Sequence, residues 1–277
     1  MPTILDGKAL ATSIQGELHE LVIQKNLHPC LAIITVGDDP ASAVYVRNKK
    51  KACDEIGVEC RHKCLPSSTS EKELISLIKE LNRDETVHGI IVQLPLPKHI
   101  NPKKITETIW RRKDVDGFGQ NSLFHPCTPE GIIRLLDHYL IPIESRNVVI
   151  IGRSDIVGKP LARMMLDRNA NVTVLHSKTT NADRHTYLHN ADIIVSAVGS
   201  PMLVVPVNIS PQTVIVDVGI NRNQNGKLCG DVHPGAYDIS FAYTPVPGGV
   251  GPMTVAMLME HVVQSAVWQK EAMNDSM

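Results

Sequence analysis

The chain has 277 residues, of which 43% are hydrophobic and 21% are charged, and its 28 Lys and Arg against 29 Asp and Glu leave a net charge of −1. This composition is typical of a folded globular protein with room for two domains, and the even charge balance argues against a nucleic-acid or membrane-surface partner. The sequence lacks a secretory-signal pattern, and no stretch approaches the roughly 20 apolar residues that span a membrane.

Six cysteines are scattered along the chain without the spacing of a disulfide framework, which favours a reduced, cytoplasmic protein. Cys60, His62 and Cys64 form the one cluster that suggests metal ligands. They lack a second ligand pair, and alternating positions of a strand explain them as well, so we expect no metal.

The first half of the chain alternates apolar, strand-like runs with helical patterns. Strands are predicted at 31–37, 58–65 and 87–97, and helices at 40–56, 67–84, 102–110 and 131–141. This alternation predicts a parallel sheet with crossover helices.

The second half repeats the alternation with shorter, β-branched strands. Strands are predicted at 147–154, 171–177, 191–200 and 213–221, with a helix near 161–169 and a long amphipathic helix from 253 onward. The strand spacing is that of a doubly wound nucleotide-binding domain.

These patterns predict an α/β fold of two domains with a cleft between them. Residues 1–139 and 253–277 are expected to form an N-terminal parallel-sheet domain, to which the last helix returns. Residues 140–252 are expected to form a Rossmann-like dinucleotide-binding domain.

The predicted helix that contains YVRNKKKACDEIG (45–57) has clear end signals. Asp38 or Asp39 suits the cap, Pro40 suits the first position and Gly57 suits the stop. At about 100° per residue, one stripe of this helix should face the interior. Its members are Ala41, Tyr45, Lys49, Ala52 and Ile56.

Lys49 is the single charge on that stripe, whereas Lys50 and Lys51 are expected to face solvent. Two interpretations are equally open from spacing alone. The stem of Lys49 packs while its ammonium reaches water, or the amine lies in a cleft beside Tyr45, where desolvation favours the uncharged form that serves proton transfer.

Two further polar elements lie near predicted strand ends. Gln93 follows a buried strand at its carboxyl end, where α/β sheets place ligands, although an ordinary loop residue is equally consistent. Asp114 and Asp116 lie in KDVDGF, which a turn alone would explain. A carboxylate there could also bind the edge of an amino-pyrimidine through paired hydrogen bonds.

VVIIGRSDIVGKP (148–160) lies where a glycine-rich phosphate-binding turn is expected, but it meets G-x-G-x-x-G only in part. Backbone N–H groups at the helix start would still favour a pyrophosphate. An NAD binder would carry Asp or Glu after the next strand, whereas this chain has His176, Ser177 and Lys178, which favours NADP. Ser177, Lys178 or Arg153 would then contact the 2′-phosphate. The residues expected to bind the cofactor are Gly152, Arg153, Ser154, Ile156, Val157, His176, Ser177, Lys178, Gly199 and Ile220.

Seven segments match one protein family in order and over nearly the whole chain: YVRNKKKACDEIG, VHGIIVQLPLP, KDVDGF, PCTPEG, VVIIGRSDIVGKP, VIVDVGIN and TPVPGGVGPMTVAML. By these segments the chain resembles the bifunctional methylenetetrahydrofolate dehydrogenase/methenyltetrahydrofolate cyclohydrolase family. The resemblance implies NADP-dependent oxidation of 5,10-methylenetetrahydrofolate to 5,10-methenyltetrahydrofolate, followed by hydrolysis to 10-formyltetrahydrofolate. It also implies a cytoplasmic homodimer whose first domain binds folate.

The resemblance implies that Lys49 handles the proton, that Gln93 tunes it, that Tyr45 lies beside the folate and that Asp116 holds the pterin. The residues implied to bind substrate are Tyr45, Lys49, Gln93, Leu94, Asp116, Pro247, Gly248 and Gly249.

One segment departs from the family pattern. Between Phe118 and Pro126 the chain has only GQNSLFH, where the family carries a longer loop with Asn-x-Gly-x-Leu. This departure bears on local folate contacts or loop mobility, and it leaves open a dehydrogenase with weak cyclohydrolase activity. A nucleotide-binding scaffold without turnover is a third reading, against which the co-presence of Tyr45, Lys49, Gln93 and Asp116 argues.

Overall fold

Two parallel sheets organise the chain, one of six strands and one of three. The computed structural model describes residues 1–274. The strands are β1 (Thr3–Ile4), β2 (Cys30–Val36), β3 (Glu59–Leu65), β4 (Gly89–Val92), β5 (Asn147–Ile151), β6 (Asn171–Leu175), β7 (Ile193–Ser196), β8 (Val214–Asp217), β9 (Asn221–Arg222), β10 (Leu228–Cys229) and β11 (Ala242–Tyr243). The helices are α1 (Gly7–Gln24), α2 (Pro40–Ile56), α3 (Glu71–Arg83), α4 (Pro102–Thr108), α5 (Cys127–His138), α6 (Gly158–Asp167), α7 (Asn181–His189), α8 (Pro234–Ile239) and α9 (Val250–Asn274).

The three-stranded unit comprises Thr12–Cys127 and the chain from Val255 onward. Its sheet has the order β3-β2-β4, and β2 and β4 are buried along almost their whole length. One face packs on α3 and α4 through a cluster that includes Ile34, Leu74, Ile78 and Ile105. A short segment extends the sheet beyond β4, because Asp114 forms a parallel bridge with Ile90.

Three ends of helices in this unit follow directly from local sequence. Asp39 caps α2, since its carboxylate accepts the Ser42 N–H at 2.7 Å, and Gly57 ends the helix at a φ of 79°. Ser70 and Glu73 form a reciprocal capping box at α3. The helix predicted at 67–84 therefore begins only at Glu71.

The six-stranded unit comprises Met1–Ala11 and Thr128–Thr254. Its strands are all parallel in the order β6-β5-β7-β8-β11-β1. The strand order reverses between β5 and β7, and such a reversal opens a crevice at the carboxyl ends of the strands. The doubly wound expectation is confirmed in this unit.

The compact units divide at positions other than the predicted domain limits of 139 and 253. Residues 1–11 belong to the six-stranded unit because β1 pairs with β11, with Thr3 opposite Ala242. Residues 128–139 also belong to it, and Thr128 Oγ1 lies 3.0 Å from Thr254 Oγ1. The functional domain limits stay a prediction, and residues 275–277 lie outside the described part of the chain.

Among residues 1–274, no helix is long and apolar enough to cross a membrane. Over the same residues, no group of three or more His, Cys, Asp or Glu side chains is placed to hold a metal ion.

Candidate active site

Lys49 and Gln93 meet in the three-stranded unit. Lys49 lies two turns before the end of α2 and is half-buried, and its Nζ donates to Gln93 Oε1 at 3.2 Å. The Gln93 Nε2 donates to the carbonyl oxygen of Leu94 at 2.9 Å, so the amide presents its oxygen to the lysine. The structure thus joins the two residues that the family resemblance links, and the contact fixes the direction of the amine.

The partner of Lys49 is an uncharged amide. Within the part of the chain that the structure describes, Lys49 takes part in no ion pair, whereas Lys51 lies 3.5 Å from Glu55. An amide oxygen orients the amine without the attraction that a carboxylate would add for the charged form. The Lys49 amine is thus oriented by a neutral partner.

The inward stripe of α2 is confirmed at two positions and wrong at one. Ala52 and Ile56 are buried as expected, but Tyr45 is 42% exposed and Val46 takes the buried position at 4%. The buried face is rotated because Ser42 and Cys53 also face the core, which leaves Tyr45 at its border. Lys51 is exposed as predicted.

Two other side chains of α2, those of Lys50 and Ala41, entered the predicted pattern. Lys50 is half-buried rather than exposed, because the buried face turns toward it. The side chain of Ala41 lies outside the described residues.

The two aspartates of KDVDGF have different environments. Asp114 is buried, accepts the Gly119 N–H at 2.7 Å, and has its pKa raised chiefly by burial. Asp116 is half-buried and, within residues 1–274, makes no hydrogen bond or ion pair. Only Asp116 keeps both carboxylate oxygens for a ligand.

Asp116 lies at the same edge of the sheet as Gln93. The N–H of Ile90 donates to Lys113 O at 2.8 Å, and Ile90 bridges Asp114 in parallel register. Gln93 therefore directly follows β4, and Asp116 lies two residues after the neighbouring, parallel position of Asp114. Carboxyl ends of parallel strands are where such sheets place ligands.

The six-stranded unit carries the glycine turn at its switch point. Gly152 follows β5 with a φ of 118°, and a Cβ on it would lie 2.6 Å from the carbonyl oxygen of Ala197, after β7. A Cβ on Gly158, at the start of α6, would lie 2.2 Å from the Gly152 carbonyl oxygen. Both glycines are required for the backbone to pass this closely.

Side chains around this turn are available to a ligand. Arg153, Ser154 and Ile156 are exposed, Val157 is half-buried, and Ser154 Oγ accepts the N–H groups of Val157 and Gly158 at 3.2 and 3.3 Å. Ser154 thus caps α6 from its own loop.

The polar segment after β6 lies beside the glycine turn, because Gly152 donates its N–H to Leu175 O at 2.9 Å. Ser177 and Lys178 are exposed, and the Lys178 N–H donates to His176 Nδ1 at 3.2 Å. This arrangement brings cations of two loops, Arg153 and Lys178, to the same edge of the sheet.

Asp231 organises the loop after β7, and it was not among the residues predicted for the site. Its buried carboxylate accepts hydrogen bonds from the N–H groups of Val198, Gly199 and Ser200, at 2.8 to 3.2 Å. Further donors are Ser196 Oγ at 3.0 Å and Asn221 Nδ2 at 2.9 Å. Hydrogen bonds to Asp231 therefore hold the loop that contains Gly199, a residue predicted to bind the cofactor.

Asp217 does the same for the loop that contains Asp231. It accepts the N–H groups of Asp231 and Val232 and the Tyr237 hydroxyl, the last at 2.6 Å. Burial raises the pKa of Asp217, against these hydrogen bonds, and burial also raises the pKa of Tyr237. A Cβ on Gly230 would lie 1.9 Å from Asp217 Oδ2. The sequence carries one sign of this close packing, which is Gly230, the glycine directly before Asp231.

The remaining predicted residues lie apart from these contacts. Ile220 is 55% exposed beyond β8. In the Pro/Gly loop of the six-stranded unit, Pro247 is exposed, Gly248 has a φ of 113°, and its carbonyl oxygen accepts the Lys8 N–H at 2.8 Å. Leu94 is half-buried in the three-stranded unit, beside Gln93.

Two family models match the chain. The catalytic domain of tetrahydrofolate dehydrogenase/cyclohydrolase matches residues 5–116, and the NAD(P)-binding domain of the same family matches residues 126–270. The bifunctional protein FolD of Acetivibrio thermocellus is 48% identical over 279 residues, which cover 96% of this chain and 97% of that protein.

Solved structures agree with these matches. The bifunctional FolD methylenetetrahydrofolate dehydrogenase/cyclohydrolase of Campylobacter jejuni has a TM-score of 0.93 at 46% identity, over 96% of this chain and 99% of that one. The Trypanosoma brucei methylenetetrahydrofolate dehydrogenase-cyclohydrolase, complexed with NADP cofactor and inhibitor, has a TM-score of 0.89 at 34% identity, over 98% of both chains.

Proposed function

The chain belongs to the tetrahydrofolate dehydrogenase/cyclohydrolase family, and from this premise we propose that it catalyses both reactions of that family. It oxidises 5,10-methylenetetrahydrofolate to 5,10-methenyltetrahydrofolate with NADP and then hydrolyses the product to 10-formyltetrahydrofolate. The observation that carries the proposal is the hydrogen bond from Lys49 Nζ to Gln93 Oε1 at the carboxyl edge of a parallel sheet.

Hydrolysis uses Lys49 first as a base and then as an acid. A water oxygen bonds to the cationic methenyl carbon while one water proton passes to Lys49 Nζ. Lys49 returns a proton to N5 as the bond between N5 and that carbon breaks, which leaves the formyl group on N10. The second water proton is lost to solvent, so atoms and charge balance.

Gln93 supports this role because it is neutral. Both reactions involve a cationic carbon on the folate, beside which a charged lysine would be repelled and an uncharged amine would not. The Gln93 oxygen holds the amine in one direction without charge, and the Leu94 carbonyl holds Gln93. Asp116 offers two acceptor oxygens for the N–H groups of the amino-pyrimidine.

The six-stranded unit fits a dinucleotide at its switch point. Its glycine turn leaves no room for a Cβ at Gly152, and the exposed cations Arg153 and Lys178 lie beside it. Bound NADP would supply the acceptor for the hydride removed from the folate. The residues proposed to hold it are Gly152, Arg153, Ser154, Ile156, Val157, His176, Ser177, Lys178, Gly199 and Ile220.

Further residues are proposed to contact the folate. Tyr45 offers an exposed aromatic ring one turn from Lys49, and Leu94 lies beside Gln93. Pro247, Gly248 and Gly249 supply a glycine-rich backbone for close approach.

A paired assay tests both activities. Purified protein should oxidise methylenetetrahydrofolate with NADP⁺ and, without any nucleotide, hydrolyse methenyltetrahydrofolate faster than buffer does. Hydrolysis no faster than in buffer would reduce the function to dehydrogenation. Absence of both reactions would contradict the proposal.

We expect Lys178→Ala to raise the KM for NADP⁺ about tenfold and to change the KM for NAD⁺ by less than about twofold, because a charge-assisted hydrogen bond to the 2′-phosphate is lost. The matched control is Arg163→Ala, which removes an exposed cation of the same unit that is paired with Asp167 at 3.1 Å. Steady-state kinetics with both nucleotides measure the effect. Equal changes for NADP⁺ and NAD⁺ would assign Lys178 no part in the preference.

We also propose that the protein is a cytoplasmic homodimer that supplies formyl groups to purine biosynthesis. Among the described residues the six cysteines form no disulfide, which fits a reducing compartment. Edge strand β6 offers unpaired backbone groups for a partner sheet. Light scattering that gives the mass of one chain would exclude the dimer.

A further inference from the structure

The carbonyl oxygen of Val115, the residue before Asp116, receives two donors from distant parts of the chain. His261 Nδ1 donates at 2.8 Å and Cys127 Sγ at 3.3 Å. Because a carbonyl oxygen can only accept, this contact places a proton on Nδ1 of His261. Val115 and His261 are 0% and 4% exposed, so water does not compete for the bond.

Phe124 holds the His261 ring. The two rings stack with centroids 4.4 Å apart, and Phe124 also stacks on Trp268 at 5.2 Å, each pair at an interplanar angle of 20°. His261 and Trp268 are seven residues apart, two turns along α9, so Phe124 lies against both. The plane of the imidazole, and with it the direction of its Nδ1–H, is set by this contact.

Phe124 belongs to the short segment 119–125 that departs from the family pattern. Both parts of this segment are tied to the chain just before it, because Asp114 accepts the Gly119 N–H and the Leu123 N–H donates to Arg111 O at 3.1 Å. The shortened loop therefore closes on itself and presents one aromatic ring to α9.

Asp116 depends on its flanking peptides for its direction. Its carboxylate makes no hydrogen bond or ion pair among residues 1–274. On one side the Val115 carbonyl is fixed by His261, and on the other Gly117 turns at a φ of 72°, where a Cβ would lie 2.3 Å from His125 O. The side chain is thus aimed by the backbone alone.

We infer that His261, held by Phe124, is a positioning residue that fixes the Val115 peptide and so aims the Asp116 carboxylate at the folate. The inference rests on the proposed role of Asp116 in the function above. His261 acts through the backbone and is not proposed to touch substrate or cofactor.

Two substitutions separate the donor of His261 from its ring. His261→Phe keeps an aromatic ring against Phe124 and removes the donor, and we expect it to raise the KM for methylenetetrahydrofolate about tenfold, with kcat within about threefold and the KM for NADP⁺ unchanged. His261→Asn places an amide donor near the position of Nδ1 and should restore the folate KM to within about threefold of wild type. Steady-state kinetics and melting temperatures are measured together.

A control on the same helix guards against a general effect of destabilising α9. Ser265 Oγ donates to the carbonyl oxygens of His88 and Arg112 at 2.7 and 2.8 Å, so Ser265→Ala also removes side-chain to backbone bonds from α9. It should lower the melting temperature and leave the folate KM within about twofold. An increase equal to that of His261→Phe would overturn the positioning role.

The outcomes distinguish this inference from the proposed function. Asp116→Asn is measured alongside: if it binds folate as wild type does, the role of Asp116 fails and the inference fails with it. If Asp116→Asn loses folate binding while His261→Phe does not, only the inference fails. Should His261→Phe not fold, Phe124→Leu, which frees the imidazole plane, must raise the folate KM about threefold, and an unchanged KM would overturn the inference.

Discussion

Replacing Lys49 with alanine is expected to lower kcat for methenyltetrahydrofolate hydrolysis by about 1000-fold, since proton transfer by a positioned side chain contributes roughly 10²–10⁴ to a rate. The structure gives the lysine one partner, the Gln93 oxygen at 3.2 Å, and among residues 1–274 its amine makes no other hydrogen bond or ion pair. The folded state should survive, because Lys49 lies at the border of the buried face of α2.

Lys49→Arg makes the test sharper. Arginine keeps a cation and a donor for Gln93, but it does not give up its proton near neutral pH. If Lys49 only supplied positive charge, Lys49→Arg would stay active. If Lys49 carries a proton, Lys49→Arg should be as inactive as Lys49→Ala.

The control for both variants is Lys51→Ala. Lys51 lies on the same helix, is exposed, and pairs with Glu55 at 3.5 Å, a surface pair that contributes little. The rate of methenyltetrahydrofolate hydrolysis by Lys51→Ala should stay within about twofold of wild type. Hydrolysis by Lys49→Ala within about tenfold of wild type, with normal circular dichroism, would contradict the mechanism.

Asp231→Asn is expected to destabilise the six-stranded unit by about 3 kcal/mol and to raise the KM for NADP⁺ by about 30-fold. The carboxylate accepts five hydrogen bonds, including those from the backbone of Val198, Gly199 and Ser200. Asparagine has one acceptor oxygen, so its amide N–H₂ would face N–H donors in a buried position. The loop after β7 would then lose the shape that places Gly199 beside the cofactor.

Thermal melting and NADP⁺ kinetics measure the two effects, with a decrease in melting temperature of roughly 6–12 °C. Asp192→Asn is the matched control, because Asp192 accepts the Asn147 N–H at 2.8 Å at the opposite, amino end of the same sheet. It should leave the KM for NADP⁺ unchanged. In Asp231→Asn, methenyltetrahydrofolate hydrolysis without nucleotide should stay within about threefold of the wild-type rate. An unchanged KM for NADP⁺ in this variant would show that Asp231 has no part in cofactor binding.

The central part of each unit was predictable because its signals are local. The strand LAIITV and the capped helix after it are recognised within a few residues, and Gln93 was expected at a ligand edge because it directly follows a buried apolar run. Helix periodicity singled out Lys49 and strand polarity singled out Gln93, each with a plain structural alternative; only the family resemblance linked the two residues, and the predicted stripe was wrong about Tyr45.

The unpredicted parts depend on contacts between distant residues. Strands β1 and β11 have two residues each, too few to show any alternation, and they exist through pairing across more than 230 positions, Thr3 with Ala242. Asp231 binds Ser196, 35 residues earlier, and nothing near Asp231 shows that its carboxylate is buried. Helix α1 was not predicted, although Asp6, whose Oδ1 accepts the Ala9 N–H at 3.0 Å, gives it a start signal of the same kind as Asp39 gives to α2.

The pairing of β1 with β11 has a consequence for synthesis on the ribosome. Strand β1 cannot pair until Ala242–Tyr243 has been made. The other unit cannot be completed until α9, from Val255 onward, has been made. Neither unit is a continuous piece of chain, so neither can close its core until the segment that completes it, β11 for one unit and α9 for the other, has been made. A nascent chain halted before residue 240 should therefore be sensitive to protease over its whole emerged length, and native resistance should appear only after the last helix has been made.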